Sequence, residues 1–188
     1  MQILSIESSA GPVAVEAPRA PELHALEPRA PELRDFVRLG DAPEVERLVR
    51  ATGVFSDAEA SIARELVEET LAKGEATGYR FLMAHGGAAG LDGYTCFGPI
   101  PATNGRYELY WIAVDPEARR HGLGRVLLRG TENAALSLGG THLFAETSTR
   151  ADYAPAHAFY AAEGYTLYGV VPDYHGDGDG LAIFGKRL

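Results

Sequence analysis

The stretches Trp111-Ile112-Ala113-Val114 and Arg119-Arg120-His121-Gly122-Leu123-Gly124-Arg125 decide the fold, and only residues 115–118 separate them. They predict an apolar strand, a loop with two glycines, and a helix whose apolar residues keep helical spacing. Gly122 and Gly124 remove side chains where a backbone must approach a ligand closely. The first N–H groups of the helix are free and lie at the positive end of its dipole. The segment therefore predicts an anion site suited to a pyrophosphate.

The charge of this segment supports the anion site. Residues 115–130 contain four arginines and two acids, whereas the whole chain carries a formal charge of -9. That overall charge argues against binding to nucleic acid or to an anionic membrane surface. No apolar run approaches the roughly 18 residues of a membrane span. The loop also lacks the Gly-Lys-Ser/Thr of a Walker P-loop and the three spaced glycines of a dinucleotide fingerprint.

Composition and cysteine content set the class of protein. The chain has 188 residues, of which 46% are hydrophobic and 23% charged, as is typical of one soluble globular domain. Cys96 is the only cysteine, which excludes an intrachain disulfide and a cysteine-rich zinc site and favours a cytoplasmic location. Because Cys96 stands in an apolar strand, we expect a buried thiol and no nucleophile. The histidines show no ligand spacing, so no metal site is predicted.

Residues 1–33 are predicted to form a proline-rich N-terminal arm, with residues 34–188 as the folded domain. Five prolines recur in the arm too often for a helix or a central strand. Six residues that start at Pro18 return ten positions later, a repeat too short for a solenoid unit. The arm is therefore expected to be extended, with an edge strand at residues 2–6.

The pattern of residues 34–188 predicts seven strands and four helices. Strands are expected at 35–39, 79–84, 91–97, 107–114, 142–147, 165–171 and 181–186. Helices are expected at 42–52 with Asp41 as N-cap, from a capping box at Ser56 to Gly74, from the glycine loop to Gly139, and at 156–163. This order predicts an α/β (α+β) fold, a mixed and mostly antiparallel sheet of about seven strands with helices on both faces.

A second informative stretch is Ala156-His157-Ala158-Phe159-Tyr160-Ala161-Ala162-Glu163-Gly164-Tyr165. It resembles the Ala-x-x-Phe-Tyr-x-x-x-Gly-Phe/Tyr motif of the GNAT superfamily of acetyl-CoA-dependent N-acyltransferases. Arg119, Gly122 and Gly124 fill that family's other signature, Arg/Gln-x-x-Gly-x-Gly/Ala. The resemblance covers residues 34–188 in the order and number of elements. It implies the GNAT fold and an enzyme that transfers acetyl from acetyl-CoA to a primary amine by direct attack in a ternary complex.

The resemblance also implies where acetyl-CoA, the co-substrate, binds. The strand residues Ile112, Ala113 and Val114 are expected to pair their backbone groups with the amides of the pantetheine arm. The pyrophosphate is expected to be held, largely through backbone N–H groups, by Arg119, Arg120, His121, Gly122, Leu123, Gly124 and Arg125. Tyr153 stands where the family often carries an Asn that contacts the pantetheine arm. Tyr153 or Ser148 would have to supply that contact here.

The chemistry of acetyl transfer assigns further roles within this resemblance. Tyr160 matches the general acid that protonates the departing thiolate, and the N–H of Ile112 or Ala113 is the expected oxyanion donor. Glu108 is the leading candidate for the general base, because it precedes Val114 by six residues, as the catalytic glutamate of histone-acetylating members does.

The position of the base depends on the geometry of two strands. Strand alternation places Glu108 on one face with Tyr110, Ile112 and Val114, where it either points into the acceptor cleft or is solvated. Glu146 on the next strand is the second candidate, because the two central strands splay apart in this family. A water-mediated base that uses both carboxylates is also open.

Several functional questions stay open at this level. The acidic residues 172–180 favour a cationic acceptor. They resemble part of a calcium-binding loop, but the final ligand and the preceding helix of such a loop are missing. The acceptor is either a small-molecule amine or a peptide amine, and the last strands leave a homodimer open. The alternative function is a catalytically silent acyl-CoA-binding sensor or regulatory module with the same fold.

Overall fold

The computed structural model describes residues 31–86 and 90–188. Nearly all of the predicted N-terminal arm, including the strand expected at residues 2–6, lies outside the described residues. Among the described residues, no helix is long and apolar enough to cross a membrane.

The helices and strands of the described residues follow the predicted order. The strands are β1 (Glu32–Arg34), β2 (Arg80–His85), β3 (Leu91–Pro99), β4 (Arg106–Val114), β5 (His142–Ser148), β6 (Thr166–Gly176) and β7 (Asp179–Arg187). The helices are α1 (Asp41–Ala51), α2 (Asp57–Lys73), α3 (Leu123–Ser137) and α4 (Ala154–Ala162). Short 3₁₀ turns occupy Gly74–Thr77, Pro116–Ala118 and Ala151–Tyr153.

Within the described residues, the seven strands form one sheet in the order β1-β2-β3-β4-β5-β7-β6. Every neighbouring pair is antiparallel except β4 and β5, which are parallel. A parallel pair needs a crossover connection, and α3 supplies it. The predicted mixed, mostly antiparallel sheet is confirmed.

Helices cover both faces of this sheet, as predicted. α1 and α2 bury Leu48 and Val67 against one face, in a cluster that includes Cys96 of β3. On the other face, α3 buries Leu128 with Phe97, the next residue of β3. Successive strand residues point to opposite faces, so this neighbouring pair separates the two clusters. Each large side chain buried in these clusters contributes about 1.5–3 kcal/mol to folding. The Cys96 thiol is buried and unpaired, as expected.

The strand predicted at residues 35–39 is wrong. The chain leaves β1 at Arg34, whose guanidinium contacts the Asp41 carboxylate with both N–O distances at 2.9 Å. The Arg38 N–H also donates to that carboxylate, at 2.7 Å, and this bond turns the chain where a strand was expected. Asp41 is the first residue of α1 and not its N-cap. Gly40 takes the cap position with a φ of 99°, which favours glycine.

α2 begins at the predicted capping box. The Glu59 N–H donates to Ser56 Oγ at 3.2 Å, and the Ser56 N–H donates to the Glu59 carboxylate at 2.7 Å. Gly74 follows the last residue of the helix, as predicted. The capping box fixes the end of the α1–α2 loop, which carries Phe55 towards the centre of the sheet.

Candidate active site

A gap opens between β4 and β5 halfway along their length. Their parallel ladder starts with Arg106 opposite His142 and ends with Leu109 opposite Ala145. Beyond this point β4 stays paired with β3, and β5 stays paired with β7. The separation expected between the two central strands is therefore present beyond Leu109 and Ala145.

The backbone groups of β4 alternate between this gap and β3. The N–H of Asp115, directly after β4, donates to the Asp92 carbonyl oxygen at 2.8 Å. Successive residues of a strand direct their backbone groups to alternate edges. Ala113, two residues before Asp115, therefore also directs its groups to β3. Ile112 and Val114 direct theirs into the gap. Of the three predicted backbone partners, only these two face the gap. Of the two N–H groups expected as the oxyanion donor, only that of Ile112 therefore faces the gap.

A β-bulge at Tyr110 changes which side chains of β4 share a face. The pairing with β3 passes over Tyr110, which is an extra residue on β4. As a result, Leu109 and Ile112 both pack into the cluster beneath α3 and α4. Glu108 and Trp111 lie on the opposite face, towards α1 and α2. The expectation that Glu108 shares a face with Ile112 is therefore wrong, because it assumed unbroken alternation.

Glu108 and Glu146 project from the same face beside the gap. Glu108 lies opposite Phe144, and Glu146 is two residues further along β5. Burial raises the pKa of Glu108, and the negative charge of Glu146 raises it further. Neither carboxylate forms a hydrogen bond or an ion pair with another described residue. Glu108 is therefore a carboxylate with raised proton affinity, which suits a general base.

Tyr160 lies on the opposite face, in α4. Its side chain is buried, and its ring centroid lies 5.5 Å from the rings of Tyr165 and Phe184. The cluster that contains Tyr160 also contains Ala145, the last residue of β5 before the gap. Burial raises the pKa of Tyr160 far above its usual value, so the phenol is protonated at neutral pH. A proton donor needs this state.

Three aromatic rings span the gap on the α1–α2 face. The ring of Phe55, in the α1–α2 loop, lies 5.1 Å from that of Trp111 on β4 and 6.3 Å from that of Tyr153 after β5. We call Phe55, Trp111 and Tyr153 the aromatic bridge. The Arg150 guanidinium lies 5.2 Å from the Tyr153 ring centroid. The α1–α2 loop that carries Phe55 therefore lies beside the gap.

The predicted anion site lies at the start of α3. Gly122 is the N-cap residue, with a φ of 81°, and no side chain of the described residues caps the helix. The N–H groups of Leu123, Gly124 and Arg125 in the first turn are therefore available to a ligand. Arg120 in the preceding loop also has a positive φ, of 67°. Positive charge and free donors coincide here, as an anion requires.

Asp115 anchors the loop that leads to this helix. Its carboxylate accepts the Glu117 N–H at 3.0 Å and lies 3.0 Å from the Arg47 guanidinium. Burial opposes ionisation of Asp115, but these two donors outweigh it and lower its pKa. Arg119 ties the loop to the neighbouring structure by donating to the carbonyl oxygen of Val114 at 3.3 Å.

Gly124 leaves room that the protein does not fill. A Cβ atom at this position would meet Phe159 and Val114 only at ordinary contact distances of 3.7–3.8 Å. A Cβ atom at Gly130, later in the same helix, would lie 2.9 Å from a methyl carbon of Leu82. Internal packing therefore requires Gly130 but not Gly124. The close approach of a ligand gives a reason for glycine at position 124.

The side chain of Arg125 is engaged in a structural contact. Its Nε donates to the Glu163 carboxylate at 2.6 Å, and the Arg129 Nε donates to the same group at 3.4 Å. The hydrogen bond from Arg125 is the main cause of a lowered Glu163 pKa. Of Arg125, only the backbone N–H is therefore open to the anion site. Arg120 and His121 are exposed on the loop.

Both residues expected to replace the missing Asn make other contacts in the structure. Ser148 Oγ donates to the Asp179 carboxylate and accepts the Arg150 N–H at 3.1 Å. Tyr153 packs into the aromatic bridge. The bulge at Tyr110 was not predicted, because no local residue pattern indicates it. Thr147 was not predicted as a site residue either. A polar residue at a core-facing position of β5 is unusual, and that feature of the sequence was a usable signal.

Comparison with known proteins assigns the family. A model of the acetyltransferase (GNAT) family matches residues 55–165, which is more than half of the chain. A crystal structure of a GNAT-family acetyltransferase from Desulfovibrio desulfuricans is 42% identical, with a TM-score of 0.81 over 84% of this chain and 99% of that chain. The protein belongs to the GNAT family of acetyltransferases.

More distant structures share the fold. An aminoglycoside 6'-N-acetyltransferase complexed with coenzyme A has a TM-score of 0.65 at 19% identity, over 83% of this chain and 96% of that chain. The ribosomal-protein-S18-alanine N-acetyltransferase from Escherichia coli has a TM-score of 0.63 at 20% identity, over 85% and 94%. A search of curated proteins finds no match to the sequence.

Proposed function

We propose that this protein is an N-acetyltransferase that moves acetyl from acetyl-CoA to a primary amine by direct attack in a ternary complex. The observation that carries the proposal is the gap between β4 and β5. A carboxylate of raised pKa, Glu108, lies on one face of the gap, and the protonated phenol of Tyr160 lies on the other. The coenzyme A bound to the aminoglycoside acetyltransferase of the same fold supports acetyl-CoA as donor.

Acetyl-CoA fits the residues around the gap and the start of α3. The backbone groups of Ile112 and the N–H of Val114 are open to the amides of the pantetheine arm, whereas the Val114 carbonyl oxygen accepts a hydrogen bond from Arg119. The first turn of α3 offers free N–H groups to the pyrophosphate, and the unfilled space at Gly124 lets it approach the helix. Arg119, Arg120 and His121 border this site on the loop.

In the proposed reaction, Glu108 takes a proton from the bound ammonium, with the charge of Glu146 raising its proton affinity. The nitrogen then forms a bond to the thioester carbonyl carbon, and the Ile112 N–H donates to the oxygen that becomes negative. As the C–S bond breaks, Tyr160 gives its proton to the sulfur. The nitrogen loses two protons overall. One replaces the proton that Tyr160 gave to the sulfur, and the other is released to solvent.

We propose a cationic acceptor, either a small molecule or a peptide amine. Glu108 and Glu146 face the acceptor side without a cationic partner among the described residues. The aromatic bridge beside them offers ring faces, which attract ammonium groups. Glu146→Gln should raise KM several-fold for a diamine and less for a monoamine. Equal effects on both would argue against charge recognition by Glu146.

Thermal unfolding with and without acetyl-CoA tests the proposal first. A ligand at 100 times its Kd adds about 2.7 kcal/mol of stability, which raises Tm by several degrees. Gly124→Glu should abolish the rise by placing a carboxylate in the anion site. If the wild type shows no rise, the proposal fails.

Turnover then separates the enzyme from the sensor alternative. Glu108→Gln and Tyr160→Phe should each lower kcat about 100-fold or more while leaving the acetyl-CoA shift in Tm intact. Binding without any thiol release across a panel of amines would favour a catalytically silent module that senses acyl-CoA.

A homodimer in the cytoplasm is part of the same proposal. β6 is the edge strand of the sheet, and all its residues are exposed. It carries five exposed large hydrophobic side chains, namely Leu167, Tyr168, Val170, Val171 and Tyr174. Long apolar edges of this kind pair with other chains. The unpaired Cys96 supports a reducing compartment.

A further inference from the structure

A buried hydroxyl lies beside the gap without a partner. Among the described residues, three buried polar side-chain atoms lack a hydrogen bond: Arg34 Nε, Tyr94 Oη and Thr147 Oγ1. Arg34 is satisfied through its other nitrogens, and Tyr94 is enclosed on β3, one strand away from the gap. Only Thr147, with 9% of its surface exposed, belongs to a strand that borders the gap.

The register of the sheet places Thr147 next to the path of the pantetheine arm. β5 loses its pairing with β4 after Ala145, and Thr147 is the next residue on the same face. If the ladder continued past the bulge at Tyr110, Thr147 would lie opposite Ile112. The backbone of Ile112 points into the same gap. The face that Thr147 shares with Ala145 is the one that holds Tyr160.

The two residues expected to make the usual contact to the pantetheine arm have other contacts, by hydrogen bonds of the hydroxyl in Ser148 and by ring packing in Tyr153. Ser148 is held by Asp179 and Arg150, and Tyr153 packs against Phe55. A hydroxyl both donates and accepts, so it can pair with either group of an amide. Buried polar groups in proteins are rarely left unpaired, and a ligand is one of the partners that satisfy them.

We propose that the Thr147 hydroxyl hydrogen-bonds the pantetheine arm of acetyl-CoA and so takes over the contact that the family's Asn often makes. This inference rests on the proposed function, because it needs acetyl-CoA in the gap. It assigns to Thr147 a role in positioning the thioester beside Tyr160, on the side of the gap away from Glu108.

Thr147→Val keeps the shape of the side chain and removes the hydroxyl, and it tests the proposal by two effects of opposite sign. Without ligand, Tm should rise, because an unpaired buried hydroxyl is lost. The Kd for acetyl-CoA, measured by calorimetry, should increase about two- to tenfold, the effect of one neutral hydrogen bond. Thr147→Ser, which restores the hydroxyl, should return Kd to within about twofold of the wild-type value.

The outcomes separate this inference from the proposed function. A higher Tm for Thr147→Val with an unchanged Kd would show that the hydroxyl is a structural orphan, and the inference would be overturned. Failure of the wild type itself to bind acetyl-CoA would instead overturn the proposed function. A Kd that rises equally in the Val and Ser variants would point to packing and would also contradict the role of the hydroxyl.

Discussion

At the scale of single residues, the environment of Glu108 predicts how the reaction depends on pH. Burial and the charge of Glu146 both raise the pKa of Glu108. A base must be deprotonated to act, so kcat/KM should fall as pH drops through the raised pKa of Glu108. Glu146→Gln removes the like charge and should move this acidic limb of the pH profile to lower pH.

Steady-state rates between pH 4 and 9 measure this shift. Glu69→Gln on α2, which removes a surface carboxylate paired with Lys73, is a matched control and should leave the limb in place. If the limb stays at the same pH in Glu146→Gln, the two carboxylates do not interact and Glu146 has no part in setting the base.

Glu163 gives a second prediction at this scale, for stability. Its pKa is lowered in the folded protein, first by the hydrogen bond from Arg125. It therefore stabilises the fold above the ordinary carboxyl value of 4.5, and this contribution is lost as pH falls through its folded pKa. Glu163→Gln should cost about 1 kcal/mol at pH 7, since both arginines are largely exposed, and less at pH 3, where protonation removes part of the charge contribution.

Urea unfolding of both proteins at the two pH values measures this difference. Glu75→Gln, which breaks the more exposed pair with Arg80, should change stability little at either pH. An equal loss for Glu163→Gln at pH 7 and pH 3 would mean that the charge of Glu163 is not what stabilises the α3–α4 contact.

At the scale of elements, two glycines of α3 serve different purposes. Gly124→Ala adds a methyl group where the protein has room, so stability should stay equal or rise by up to about 1 kcal/mol. The Kd for acetyl-CoA should stay within about twofold of the wild-type value, because the family's signature accepts either Gly or Ala at this position. Gly124→Glu should raise the Kd at least about tenfold, because it places a carboxylate where the pyrophosphate approaches the helix.

Gly130→Ala should have the opposite effect on stability. Its Cβ would lie 2.9 Å from Leu82, so overpacking should cost about 1–3 kcal/mol while Kd stays unchanged. Calorimetric titration and thermal unfolding of these variants provide the comparison. An unchanged Kd in Gly124→Glu would show that the ligand does not approach this turn.

The sequence predicts the elements better than it predicts the faces of β4. The capping box at Ser56 and the glycine at 74 are local signals, and they place α2 correctly. The bulge at Tyr110 is set by how β3 and β4 fit together, which no local pattern records. The turn after Arg34 was missed for a similar reason, because it depends on an ion pair with Asp41 that forms only in the folded chain.

At the scale of the whole molecule, the fold leaves β6 as an exposed edge. If two copies pair through it, Val170→Lys should place charges at the interface and reduce the mass in solution from two chains to one chain of 20.1 kDa. Light scattering after size exclusion measures the mass. The Kd for acetyl-CoA should not change, because β6 is remote from α3 in the sheet order.

A wild-type mass of one chain would rule out the dimer at the concentration tested. Ile62→Lys on α2 is the control, because Ile62 is also an exposed hydrophobic residue and lies outside the β6 edge. A loss of dimer in this control as well would indicate a different interface.

The gap between β4 and β5 has a further consequence for kinetics and for inhibitors. In the proposed ternary complex, donor and acceptor lie on opposite faces of the sheet, so neither must depart before the other arrives. Double-reciprocal plots should therefore intersect instead of running parallel. A conjugate that joined both substrates would have to pass between β4 and β5 from one face of the sheet to the other. Its linker must therefore be as narrow as an extended chain, because neighbouring strands of a sheet lie only about 4.8 Å apart.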